Sequence, residues 1–327
     1  VSPARTETVM TVLCGPDGVR PRGLERVAER AELRYVDAAG LTDGLAGARA
    51  LFLWDFFSTA VADTWPAAAE LDWIHVAAAG VDSLLFDGLV RSPITVTNAR
   101  GTFDRPIAEF VLTSILDHLK GVHLTRYQQR EQHWRHRETL LAEGRTVLII
   151  GTGPIGRATA RLLRAVGFEV RGVGRVAREA DPDFGTVGSS ATLVDQIGWA
   201  DHVVAVAPLT PQTWHLLGPD VFAAMKPTAQ VINVGRGPLI DQQALLAALT
   251  GGRIAAAALD VFATEPLPAD HPLWNAPGVV VSPHLSGDVV GWRDTLGRQF
   301  ADNALRWLDG RPLFNVVDKR RGYVTVS

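Results

Sequence analysis

Short apolar runs rich in β-branched residues alternate with stretches of helical spacing almost from end to end, and this alternation predicts βα units stacked into parallel sheets. In the first third, TVMTVLCG, ARALFLW, LDWIHVA and PITVTN read as strands, with GLERVAERA and VADTWPAAAEL as helix-like spacers between them. The stretch DRPIAEFVLTSILDHLK, from Asp104 to Lys120, reads as a helix with Pro106 near its start. Its Ile107, Phe110, Val111, Leu112, Ile115 and Leu116 cover more than one face, so it is expected between domains or in a subunit contact, and is read as the helix that opens a second domain. The polar stretch 121–144, with Arg126, Arg130, His133, Arg135, His136 and Arg137 around Trp134, reads as a solvated helix and loop. RTVLII then runs through a glycine-rich turn into RATARLLRAVG, where Ile155, Ala158, Leu162 and Val166 recur at helical spacing and Gly167 supplies the stop. FEVRGVG, HVVAVA, QVINVG, AAALDVF and VVVSPH continue as strands, and WRDTLGRQFADNALRWLDG forms a last helix with Leu296, Phe300, Ala304 and Leu308 on one face, expected to return to the first domain.

The pattern therefore predicts an α/β chain of two doubly wound parallel-sheet domains, a smaller one over 1–100 plus 292–327 and a larger one over 101–291. A length of 327 residues with 47% hydrophobic content can fill two such cores. A net charge of −3 gives no electrostatic reason to expect nucleic acid or an anionic membrane as partner. The single cysteine, Cys14, excludes an internal disulfide, no Cys/His spacing suggests a metal, and a reducing cytoplasm fits that composition. VSPARTETVM lacks the charged and apolar regions of a secretory leader, and the uncharged stretch from His202 to Pro219 is interrupted by Pro208 and Pro211, which makes it a poor membrane span.

Gly151, Gly153 and Gly156 form G-x-G-x-x-G, with Pro154 and Ile155 inside the motif, between a strong strand and an amphipathic helix. That context asks for a tight turn, a close backbone approach to a pyrophosphate and helix-on-strand packing, with the phosphates at a helix N-terminus. A dinucleotide is expected there. The acid that would bind an adenosine ribose at the end of the next strand is replaced by Gly174, followed by Arg175 and Arg178, and a guanidinium suits a 2′-phosphate. NADP(H) is thus expected ahead of NAD(H), the alternative being that both arginines are ordinary loop charges.

Three polar residues stand just past three strands: Arg236 after QVINVG, Glu265 after AAALDVF and His284 after VVVSP. Ligands of open parallel sheets bind beyond the carboxyl ends of strands, so residues far apart in sequence can converge there. Their types complement one another for reducing a keto acid: Arg236 for the carboxylate and carbonyl, His284 as proton donor, and Glu265 to hold the imidazole and favour its charged form. Singly, each also reads as a loop ion pair, an exposed charge or a turn residue.

Together, NVGRGPLID, LDVFATEPLPADHPLW and VSPHLSG resemble the signature blocks of the D-2-hydroxyacid dehydrogenase family, in order after the glycine motif and over most of the chain. The resemblance implies a Rossmann domain and a flavodoxin-like substrate domain. It implies Arg236, Glu265 and His284 as substrate arginine, dyad carboxylate and acid/base histidine. It further implies Val234, Gly235, Asp260 and Gly287 near the nicotinamide, and Pro208, Leu209, Thr210 and Thr213 in a nucleotide-contacting loop. AAAGVDSL resembles a loop whose backbone N–H groups at Gly80 and Val81 hold the substrate carboxylate, and ARGTFDRPIAEF resembles the family's entry to a helix that supports a homodimer. GVGRVAR resembles the NADP-preferring branch that includes glyoxylate and hydroxypyruvate reductases. Trp54 and Phe57 could line the substrate pocket or simply pack, and Trp134 could reach a partner's site or lie on a solvated face. A dinucleotide-binding regulator of the corepressor kind shares the fold and the three catalytic positions. A phosphoglycerate dehydrogenase without a regulatory domain is chemically possible, while formate dehydrogenases pair their histidine with glutamine where this chain has Glu265.

Overall fold

In the computed structural model, which describes residues 8–324, the chain divides into two units, one running to Thr102 and resuming at Val290, the other spanning Phe103–Val289. The N-terminal stretch read for a leader lies largely outside the described residues.

The first unit contains β1 (Thr8–Leu13), α1 (Glu25–Ala28), β2 (Ala31–Val36), α2 (Leu41–Gly44), β3 (Ala48–Leu53), α3 (Ala60–Asp63), β4 (Trp73–Val76), α4 (Asp87–Arg91) and β5 (Thr95–Asn98). Its sheet has the order β2-β1-β3-β4-β5 and every pairing is parallel. This is the flavodoxin-like order, with its switch point between β1 and β3. The four apolar runs form β1, β3, β4 and β5, whereas β2 has no run of its own because Glu32 and Arg34 alternate along an edge strand, where they pair with each other. The spacers are shorter than their periodicity suggests: GLERVAERA yields four helical residues, and VADTWPAAAEL breaks into a short helix and a 3-10 turn at Pro66.

The last helix of the chain (Trp292–Leu308, α11) buries Leu296, Phe300 and Ala304 as its spacing predicts. Phe300 stacks flat on Phe52 with centroids 4.0 Å apart and on Trp73 at 5.4 Å, contacts of about 0.5–1.5 kcal/mol per pair beyond area burial. Trp73 donates its indole N–H to Thr97 Oγ1 at 2.8 Å, and the same oxygen meets His75 Nδ1 at 2.7 Å. Burial pushes the His75 imidazole down to about 3, so it lies neutral in this core.

The second unit contains α5 (Asp104–Lys120), α6 (Val122–Arg130), β6 (Thr146–Ile150), α7 (Pro154–Val166), β7 (Glu169–Gly174), β8 (Arg178–Asp181), β9 (Gly185–Ser189), α8 (Leu193–Ile197), β10 (His202–Ala205), α9 (Pro219–Ala224), β11 (Gln230–Asn233), α10 (Gln242–Thr250), β12 (Ala256–Leu259) and β13 (Val279–Val281). Its strands run β13-β12-β11-β10-β6-β7-β9-β8, parallel except for the antiparallel edge pair β8 and β9. READ and GTVGS carry too little apolar content to read as strands; within those two strands only Asp181 and Val187 are buried, and the apolar anchor of the edge hairpin, Phe184, lies in the turn between them. α5 spans the expected residues and ends at Gly121, whose φ of 57° lets the chain reverse into α6. α7 corrects one expectation: the stripe it buries is Gly156, Thr159, Ala160 and Leu163, while Val166 is exposed. The small residues face inward because α5 packs closely against α7, leaving the larger Ile155, Ala158 and Leu162 half-buried beside them.

Candidate active site

All three residues expected to carry the chemistry lie in the second unit, on loops that leave adjacent strands at their carboxyl ends. Strand order alone makes these loops neighbours, and their backbones lock the arrangement. Past β11, Asn233 fastens the turn: its Nδ2 donates to Arg236 O at 2.9 Å and its Oδ1 accepts from Gly235 N at 3.1 Å. Gly237 then touches the loop after β12 so closely that a β-carbon on it would stand 1.9 Å from the Phe262 carbonyl carbon. The loop bearing Arg236 and the loop bearing Glu265 are therefore pressed together, and Arg236 Nη1 donates to Gly235 O at 2.8 Å.

Glu265 accepts from the Phe262 N–H through Oε1 at 2.7 Å and meets His284 Nδ1 through Oε2 at 2.6 Å. Burial favours its neutral form, but the hydrogen bonds from His284 and Phe262, with the charges of His284 and Arg236, outweigh that and hold the carboxyl below its ordinary range. With Nδ1 on the carboxylate, a proton exchanged with a substrate would pass through Nε2. His284 adopts φ 53°, a left-handed conformation that costs a non-glycine residue energy and is retained only where its surroundings dictate it. What dictates it is Asp260, fully buried at the end of β12. Its backbone carbonyl accepts from His284 N at 2.9 Å, and its carboxylate accepts from the N–H groups of Leu285 and Ser286, each at 2.9 Å, and from the Ser282 hydroxyl. Asp260, expected from the resemblance near a nicotinamide, thus organises the loop that carries His284. Gly287 closes this loop against Phe103, where a β-carbon would come within 2.7 Å of the ring.

The glycine motif joins β6 to α7. Gly151 has φ 117°, and a β-carbon there would lie 2.7 Å from the backbone of Val206 and Ala207; one on Gly156 would lie 2.0 Å from Gly151 O. These two glycines are demanded by the protein's own packing. Gly153 is not: a β-carbon on it meets nothing within 4 Å, although the residue directly precedes Pro154 and the first turn of a 13-residue helix. Space kept open at that helix N-terminus fits a dinucleotide pyrophosphate, which Gly151, Gly153, Pro154, Ile155 and Gly156 would hold. The loop after β10 is locked by Thr213, whose hydroxyl donates to Pro208 O at 2.7 Å and accepts from Thr210 N at 2.8 Å; Leu209 is carried between them. Val234 and Gly235 lie buried, and a β-carbon on Gly235 would stand 3.2 Å from both Ala207 O and Val206 Cα at the start of that loop.

Gly174 ends β7 next to this motif, since Gly151 N donates to Val173 O at 2.9 Å. Arg175 is exposed and has no hydrogen bond or ion pair with another described residue, whereas Arg178 is bonded to Asp181, a carboxylate that sequence reasoning did not single out. No motif marks Asp181, whose partners converge only when the hairpin forms.

In the first unit, Trp54 is buried, donates its indole N–H to Val19 O at 2.9 Å and packs edge-on to Phe52, so its ring and its polar handle are both engaged. Phe57 is 63% exposed. Gly80 and Val81 follow β4, and among the described residues none accepts from their backbone N–H groups.

Residues 112–286 match the family described as D-isomer specific 2-hydroxyacid dehydrogenase, NAD binding domain. The chain is 30% identical over 260 residues to glyoxylate/hydroxypyruvate reductase A of Yersinia enterocolitica, covering 78% of this chain and 82% of that one. Its fold matches a D-isomer specific 2-hydroxyacid dehydrogenase from Xanthobacter autotrophicus, solved with NADPH and MES, with a TM-score of 0.82 and 30% identity over 97% of this chain and 100% of that one. It also matches an NADPH-dependent glyoxylate/hydroxypyruvate reductase from Sinorhizobium meliloti, solved with NADP and sulfate, with a TM-score of 0.82 and 27% identity over 97% of this chain and 100% of that one.

Proposed function

The chain belongs to the D-isomer specific 2-hydroxyacid dehydrogenase family and is an NAD(P)-dependent oxidoreductase, and from that premise we propose that it reduces small 2-keto acids of the glyoxylate and hydroxypyruvate type, with NADPH preferred to NADH. The observation that carries the reading is the 2.6 Å contact between His284 Nδ1 and Glu265, within reach of the Arg236 charge.

When bound, the nicotinamide supplies the hydride, and the rest of the reaction falls to this chain. Arg236 offers a planar, permanently charged fork to the carboxylate and carbonyl oxygens, which orients the keto acid and polarises its C=O bond. His284 would give its Nε2 proton to the carbonyl oxygen, so that the reduced carbonyl, aldehyde or ketone, ends as an alcohol with no charge left on oxygen. Glu265 stays ionised throughout and stabilises the imidazolium before that transfer. Gly80 and Val81 are assigned to the substrate carboxylate by the resemblance and by their N–H groups. Trp54 is kept as a wall of the substrate pocket on its place just past β3.

The NADPH preference rests on Gly174, Arg175 and Arg178, and on relatives solved with NADPH or NADP. The glyoxylate and hydroxypyruvate assignment rests on the names of relatives about as similar as the Yersinia protein. A homodimer is proposed from the same resemblance, supported by the exposed Tyr127, Trp134, Leu140 and Leu141 on and after α6; sedimentation of the purified chain tests it.

The deciding experiment is a panel of glyoxylate, hydroxypyruvate, pyruvate, 3-phosphohydroxypyruvate and bulkier keto acids, each assayed with NADPH and with NADH. Highest kcat/KM for one of the first two with NADPH is expected. A preference for the phosphorylated acid would reassign the substrate, and binding of dinucleotide without turnover of any acid would favour the regulatory reading.

A further inference from the structure

Asp181 is the least expected polar residue in the second unit. It ends β8 with its carboxylate 2% exposed, and its two oxygens gather donors from both sides. Oδ1 accepts from Arg157 Nη1 at 3.0 Å and from the backbone N–H groups of Asp183 and Phe184 at 3.1 and 3.2 Å. Oδ2 accepts from Arg157 Nη2 at 3.0 Å and from Arg178 Nε at 2.8 Å. Arg157 belongs to the first turn of α7, immediately after Gly156, and also holds Asp183, which Arg161 reaches from one turn further along. The β8–β9 hairpin is thereby tied to the same helix turn that carries the glycine motif.

The consequence for Arg178 is directional. One edge of its guanidinium is committed to Asp181, while Nη1 has no acceptor among the described residues and the side chain remains 38% exposed. A fork pinned along one edge can present the other without first losing its rotamer freedom. The carboxylates of Asp181 and Asp183 are outnumbered by the guanidinium groups of Arg157, Arg161 and Arg178, so the node does not itself repel an anion, and Arg175 adds a further positive charge on the turn that leads into β8.

We propose that Asp181 is a positioning residue for cofactor specificity, which holds Arg178 against α7 so that its outer edge meets the 2′-phosphate of NADPH. The inference rests on the NADPH reading above. It names a residue that contacts no phosphate yet determines discrimination between the two dinucleotides.

The test compares Asp181→Asn, Arg178→Ala and Arg178→Lys with the parent, using titration with 2′,5′-ADP and 5′-AMP alongside steady-state kinetics. In Asp181→Asn the side-chain amide keeps an oxygen for the Asp183 and Phe184 N–H groups but loses the charge that pins the guanidinium, so the hairpin is retained. Affinity for 2′,5′-ADP is expected to fall about tenfold in Asp181→Asn and in Arg178→Ala, with 5′-AMP unmoved and with KM for NADPH rising at constant kcat. Should Asp181→Asn fail to fold, Arg178→Lys decides the matter: lysine keeps the charge but cannot hold the carboxylate and a phosphate at once, so the same loss is expected. Equal weakening of both nucleotides in Asp181→Asn, or Arg178→Lys indistinguishable from the parent, would overturn the inference. A loss in Arg178→Ala with none in Asp181→Asn would overturn it too, leaving the NADPH reading intact. A parent that does not discriminate 2′,5′-ADP from 5′-AMP would remove that reading and this inference with it.

Discussion

The Thr152 hydroxyl oxygen lies 3.1 Å from the point where a β-carbon on Gly174 would stand, which places the end of β7 directly beside the glycine motif. An acidic side chain at 174 would need Thr152 to give by only a few tenths of an ångström, and under the proposed cofactor site it would stand where the adenosine ribose is expected. Gly174→Asp is therefore expected to fold and to move the NADPH to NADH ratio of kcat/KM toward NADH by about tenfold or more, through repulsion of a 2′-phosphate and a new acceptor for a 2′-hydroxyl. An unchanged ratio in a folded variant would place the ribose elsewhere.

Neutralising Arg175 and Arg178 together should raise KM for NADPH strongly and leave KM for NADH nearly alone, because the adenosine ribose of NADH carries no charge. Arg175 has no partner to lose among the described residues, so Arg175→Ala should leave thermal stability unchanged. Equal losses with both cofactors would return the pair to the status of loop charges.

The three glycines of the motif should separate into two classes. Gly153→Val is expected to fold, since its β-carbon meets nothing, and to abolish dinucleotide binding in a fluorescence titration. Gly156→Val should fail differently, losing stability by several degrees in Tm because backbone at 2.0 Å cannot make room. A Gly153→Val variant that binds cofactor as the parent does would refute the assigned cradle.

His284→Ala should lower kcat by about a thousandfold, within the range general acid–base groups contribute. Glu265→Gln should keep part of the activity, because the amide oxygen can still accept from His284 Nδ1 at the same place but brings no charge to the ring, and the acid limb set by the Glu265 carboxyl should disappear. On the acid side the parent should retain the pair below the ordinary glutamate range, because the folded carboxyl is held down. A pH–rate profile that does not move in Glu265→Gln would dissolve the dyad.

Each unit also buries a neutral imidazole: His75 is pushed down to about 3 and His202 to about 4, in both cases chiefly by burial. The unfolded chain binds these protons near pH 6.5 and the folded chain does not, so stability is expected to fall as pH drops below 6.5 toward those values. Tm measured from about pH 7 down to about pH 4.5 should decline less steeply in a His75→Phe, His202→Leu double variant than in the parent; identical slopes would assign the acid sensitivity to other groups.

Much of this protein is legible in its sequence because periodicity and motif are local. Inner strands such as ALFLW and TVLII are continuous apolar runs that a buried parallel sheet requires, and G-x-G-x-x-G between a strand and a helix specifies its own turn. Arg236, Glu265 and His284 can be nominated because each closely follows such a run. The outlying strands β2, β8 and β9 do not show in the sequence because they need little apolar signature, and the buried stripe of α7 departs from its large-residue spacing because close approach to α5 favours small residues.

Tertiary structure decided the rest, and in each case the reason is that partners distant in sequence meet only on folding. The amino-acid order by itself determined the sheet-building runs, the glycine-rich turn between β6 and α7 and the chemical types at three strand ends. Only the folded chain decided that Glu265 faces Nδ1 of His284, that Asp260 bends the loop on which that histidine sits, and that Arg178 is pinned while Arg175 is not. Hydrogen-bond geometry is a property of atoms a few ångströms apart, and no one-dimensional spacing encodes it.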